Sequence, residues 1–88
     1  MLLPLTNNIA LKTMTCSQLG GACDLEFRAE TFEEIASMSK NHGMEMFAQN
    51  DEAHLAAMKK MKEYRAKPGA FEEWMAARKA EFEASPEL

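Results

Sequence analysis

Two patterns divide the chain. Between Leu11 and Arg28 apolar and polar side chains alternate, the period of a strand with one face buried. In the first run Met14 and Cys16 share a face, with Thr13 and Thr15 opposite. In the second, Cys23, Leu25 and Phe27 face one way, and Asp24, Glu26 and Arg28 the other. Gly20-Gly21 lies between the runs and supplies a turn. The pattern predicts a β-hairpin over residues 11–28, with both cysteines on its core side at the turn end.

After Glu30 the period becomes helical. Thr31-Phe32-Glu33-Glu34 has the form of a capping box and opens a helix over about 31–42, with Gly43 as a left-handed stop. Its apolar stripe is Phe32, Ile35, Met38 or Ser39, and His42, the face that must cover the hairpin. Met44 to Gln49 reads as a connector or a short helical turn. Asp51 caps a second helix, about 52–66, with Leu55, Met58 and Met61 as its stripe and Tyr64 at the edge. Pro68 suits the first turn of a third helix, about 69–84, whose apolar face is Phe71, Trp74, Met75 and Phe82; Ser85-Pro86 ends it. The expected fold is α+β: a two-stranded hairpin packed on a helix, followed by two further helices. The alternative is a mainly helical bundle. Residues 1–10 match no later pattern and are expected to be a flexible leader, with Leu11 as the natural start. Residues 11–88 form a single small domain.

Composition supports the helices. Val is absent, Ile occurs only at Ile9 and Ile35, and Ala, Met, Glu, Lys and Leu dominate; such side chains lose little rotamer freedom in a helix. The formal net charge is -4, which argues against nucleic acid as a partner. Leu2-Leu3-Pro4-Leu5 is too short for a signal-peptide core or a membrane span. A cytoplasmic protein with no membrane partner is expected, in a compartment that keeps thiols reduced.

The chemistry that stands out is a thiol pair facing a histidine. Cys16 and Cys23 at the base of the turn can point at one ion, and His42 on the covering helix can supply a third ligand. Zinc accepts such a sulfur–nitrogen set tetrahedrally. The fourth ligand is water or His54, although His54 lies in a polar first turn beside Glu52, where a solvent-facing ring is preferred. The spacing C-x6-C is not the knuckle of ordinary zinc fingers. Two other readings stay open: the thiols pack as small hydrophobes, or they form a reversible disulfide.

Taken together, Cys16, Gly20-Gly21-Ala22-Cys23, Glu30-Thr31-Phe32-Glu33-Glu34-Ile35 and His42-Gly43 resemble the domain of unknown function 1059 family. Its members are described as predicted small metal-binding proteins. The resemblance covers about residues 11–46 and implies Cys16, Cys23 and His42 as ligands. Met38 stands where many members carry another histidine, and the two later helices extend past the point where many members end.

Other features carry less. Met44 and Met46 beside His42 would suit Cu(I), or simply fill core gaps. Lys59, Lys60, Lys62, Arg65 and Lys67 read as a solvated face at a helix C-terminus, with Glu63 placed to pair with Lys67. The aromatic face of the third helix is expected to be buried, with any surplus favouring a homodimer or a protein partner. No catalytic triad, phosphate loop or H-E-x-x-H helix is present, so no enzyme is expected. The sequence reads as a small metal-binding protein, zinc preferred; the alternatives are a non-catalytic interaction or dimerisation module with buried thiols, or a thiol redox switch.

Overall fold

The computed structural model describes residues 10–88, so the expected leader lies, Ala10 apart, outside the described residues. Two strands and three helices follow in chain order: β1 Lys12–Thr15, β2 Glu26–Ala29, α1 Phe32–Ala48, α2 Glu52–Ala66 and α3 Ala70–Ala84. The fold is α+β, an N-terminal antiparallel hairpin packed against three helices. Met14 pairs with Phe27 and Lys12 with Ala29.

The hairpin stands because its inner face is covered. Met14, Cys16, Phe27 and Ala29 form one buried layer with Phe32 and Ile35 of α1 and Phe82 of α3. Ile35 is wholly inaccessible, and the Phe32 and Phe82 rings meet edge to face at 6.1 Å, an arrangement their quadrupoles favour. A two-stranded sheet alone is marginal in water; two helices from beyond it supply the missing burial. Among the described residues no helix is long and apolar enough to cross a membrane.

The capping box opens α1 as expected. The Glu34 N–H donates to the Thr31 hydroxyl at 3.1 Å, and the Thr31 N–H donates back to the Glu34 carboxylate at 3.2 Å. The expected stop at Gly43 is corrected: α1 runs through it to Ala48. A mid-helix glycine costs only about 0.5–1 kcal/mol, too little to end a helix whose next turns are good helix formers. Gly43 sits where α1 meets α2, so that a β-carbon there would already touch the Met58 methyl. The left-handed residue is Asn50 instead, at φ 55°, a conformation asparagine tolerates. It turns the chain sharply from α1 into α2.

The second strand is also shorter than its alternation. Leu25, expected to face the core, is 47 % exposed, and Ala29 takes the buried place two residues past Phe27. The alternation misleads because residues 20–25 form a loop, not a strand. Ser17–Leu19 make a single 3-10 turn closed by Gly20 at φ 90°, which frees Cys23 from the sheet register. On α1, Met38 is exposed and Ser39 half-buried. α3 begins at Ala70 behind Gly69, which caps it at φ 81°; Pro68 therefore precedes the helix instead of lying in its first turn.

α2 is the loosely held element. Leu55, Met58 and Met61 are only half-buried, and its single buried side chain is His54. The residue that anchors α2 in the interior is polar, so it requires polar partners there.

Candidate metal centre

Each donor is placed by a local feature. Cys16 directly follows β1 and prolongs its ladder, its N–H donating to the Leu25 carbonyl at 2.8 Å. Gly21 then folds back, its N–H donating to the Cys16 carbonyl at 2.8 Å. Any side chain at Gly21 would collide with the Cys16 sulfur and crowd its carbonyl. Cys23 is held across the loop by the Ser17 N–H, which donates to its carbonyl at 2.9 Å. His42 projects from α1, its ring edge-on to Phe27 at 5.8 Å. His54 occupies the first turn of α2.

These four converge. The donor atoms of Cys16, Cys23, His42 and His54 all lie within 4.8 Å of one another. The Cys16 sulfur is 3.6 Å from His54 Nε2, and the Cys23 sulfur is 3.4 Å from His42 Nε2. The two imidazoles meet edge to face at 5.1 Å. Both cysteines are free thiols. Cys16 and His54 are buried, while Cys23 and His42 are half-buried. The solvent-facing reading of His54 is thus overturned: it is 6 % exposed. The turn at Asn50 swings the first turn of α2 inward, a long-range consequence that a polar local sequence does not reveal.

The electrostatics separate the four groups. Burial pushes the Cys16 thiol up, against the nearby Cys23 and Ala22 backbone amides, which pull it down. The Cys23 thiol is lowered, chiefly by the Leu25 backbone N–H and further by His54. The His54 imidazole is raised, because its hydrogen bond to Asp51 outweighs the cost of burial. Asp51 is lowered by that same bond.

Asp51 is the site residue that the sequence reading placed only as a helix cap. Its Oδ2 accepts from the His54 backbone N–H at 3.1 Å and lies 2.6 Å from His54 Nδ1. With Nδ1–H engaged, Nε2 is left as the lone-pair donor facing the sulfurs. An outer carboxylate of this kind fixes tautomer and ring orientation in metal-ligating histidines. The signal was available as D-x-x-H across a helix N-terminus, since a cap side chain that reaches the third helical amide also lies beside that residue's side chain.

Fold and cluster together define a small α+β domain bearing a Cys2His2-like group able to coordinate a metal ion. Compared with protein families, curated proteins and solved structures, the chain matches none.

Proposed function

We propose that this protein is a small, non-catalytic metal-binding protein that holds one zinc ion through Cys16, Cys23, His42 and His54. The observation that carries the reading is the spacing of the donors. With zinc bonds of about 2.3 Å to sulfur and about 2.0 Å to nitrogen, a tetrahedral site has sulfur–nitrogen edges of about 3.5 Å. Two of the four sulfur–nitrogen edges here are 3.6 and 3.4 Å and all donor separations lie within 4.8 Å, so a modest contraction of the longer ones receives the ion. Four protein ligands leave no open position for water or substrate, which is the pattern of structural rather than catalytic zinc. The mixed thiolate and imidazole set suits zinc better than hard cations, and a reducing compartment such as the cytoplasm would keep both thiols available. The resemblance to the domain of unknown function 1059 family points the same way for Cys16, Cys23 and His42, and His54 completes the set.

The ion would also do mechanical work. It would join the hairpin turn, α1 and α2 at one point, and α2 has no other deeply buried side chain. Metal-binding free energy would then be partly folding free energy.

Elemental analysis of protein purified without added metal, paired with thiol titration, tests this. One zinc per chain and two thiols released together by a chelator are expected. Metal-free protein that also fails to bind added Zn(II), or Co(II) without the intense absorption of tetrahedral thiolate coordination, would overturn it.

A further inference from the structure

Between α1, α2 and α3, beside the cysteine–histidine cluster, runs a groove of about 520 Å³. Its walls are mostly sulfur and aromatic: Met44 from α1, Met58 and Met61 from α2, Phe71, Trp74 and Met75 from α3. Its only charged lining side chains are Lys40 and Arg65, both cations. Arg65 belongs to a wider run of cations whose lysines do not line the groove. Half of the ten Lys and Arg residues in the chain lie between Lys59 and Lys67, with Glu63 the one acid among them. Among the described residues none of these five cations makes an ion pair, and the expected Glu63–Lys67 pair is not formed. In a protein of net charge -4, the groove itself thus carries two cations and no carboxylate.

We infer that this groove binds an acidic amphipathic helix of a partner protein. The charge sets the sign of the occupant, since cations beside an apolar trough favour acids flanking an apolar stripe. The shape sets its form. The groove is open to solvent between helices, and an amphipathic helix laid into such a trough buries its apolar face there. A membrane would instead call for a protruding apolar surface. Methionine adapts its shape to different apolar knobs, which suits a recognition surface. Phe82 is the one buried side chain of α3 and Met75 packs on the core from its margin, so the expected burial of Phe71, Trp74 and Met75 is corrected to a half-buried lining of this groove. The groove shares Cys16, His42 and His54 with the cluster, so binding is tested on both zinc-loaded and metal-free protein.

Trp74 is the only tryptophan of the chain and reports on the groove directly. The full chain, zinc-loaded and metal-free in turn, is titrated with a synthetic helix of about sixteen residues that carries leucine at i, i+3, i+4 and i+7 spacing and glutamate elsewhere. A second helix has lysine in place of every glutamate. Saturable change in Trp74 emission is expected with the first, and at least about tenfold weaker binding with the second. The Lys40→Glu/Arg65→Glu double variant, changed only at the groove's charged positions, should reverse that preference. Four results would overturn the inference: no response to either helix, equal binding of both, a Trp74 change that follows self-association in sedimentation (a second copy being the occupant), or binding to anionic vesicles without binding to the acidic helix.

Discussion

One oxygen of Asp51, Oδ2, serves both the backbone and the ring of His54, accepting from its N–H at 3.1 Å and lying 2.6 Å from its Nδ1. The cap that starts α2 is therefore also the group that aims the His54 ring at the two sulfurs. The two roles separate by substitution. Asparagine caps a helix about as well as aspartate, whereas alanine loses about 0.5–2 kcal/mol. Asp51→Asn is expected to keep the cap, costing metal-free stability only the part carried by the Asp51–His54 charge pair, while lowering zinc affinity by about 10–100-fold, the usual cost of removing an outer carboxylate. Competition against a chromophoric chelator, alongside denaturant unfolding of the metal-free protein, checks both halves.

The two thiols should differ in reactivity. Cys16 is buried with its thiol pushed up, and Cys23 is half-buried with its thiol lowered. Thiolate fraction and access both favour Cys23. In metal-free protein a small alkylating reagent is expected to modify Cys23 first, and zinc to protect both residues. Mass spectrometry of peptides from a timed reaction reads the order; Cys16 reacting first would contradict the burial described.

The pH dependence has opposite signs with and without metal. In the metal-free protein the His54 pKa is raised above 6.5, so its contribution to stability is complete below that value and lost as pH rises through the folded one. The Asp51 pKa is depressed below 3.8, so its contribution is complete above that value and lost as pH falls through the folded one. The pair therefore supports the metal-free fold best between 3.8 and 6.5. Zinc binding displaces protons from thiols and imidazoles, so its stabilisation grows as pH rises. Melting temperatures across pH, with and without zinc, should show the zinc-induced increment widening on the alkaline side while the metal-free protein weakens there.

Two glycines give a paired test. A β-carbon at Gly21 would strike the Cys16 sulfur and approach its carbonyl to 3.0 Å, whereas at Gly69, with φ +81°, it would meet nothing within 4 Å. Gly21→Ala is expected to cost about 1–3 kcal/mol as overpacking and to weaken zinc binding by displacing a ligand. Gly69→Ala is expected to cost about 1–2 kcal/mol through left-handed strain with zinc affinity unchanged. Calorimetric unfolding and zinc titration of both variants would show whether the two effects separate.

Much of the architecture was legible from local chemistry. The Thr31–Glu34 box and the Asp51 cap are interactions within four residues, so sequence spacing alone locates the starts of α1 and α2. Met14 and Phe27 declared their inner face through a period-2 pattern, and Cys16, Cys23 and His42 stood out because few side chains offer sulfur or imidazole donors. Where the reading failed on these elements, a local signal was outweighed by its neighbours in the chain. Gly43 looks like a stop, yet α1 continues past it. Leu25 obeys the alternation of Phe27 but sits in a loop governed by the turn around Gly20.

By itself, then, the sequence determined the order and type of the elements, the N-caps Thr31 and Asp51 and the list of donors, since these depend on residues a turn or less apart or on side-chain chemistry alone. Only the tertiary structure decided that His54 turns inward, that Asp51 orients it, and that α1, α2 and α3 leave between them an apolar groove carrying Lys40 and Arg65. Those outcomes depend on the direction in which the chain leaves Asn50, and a small change in that backbone direction moves whole helices, with every side chain they carry.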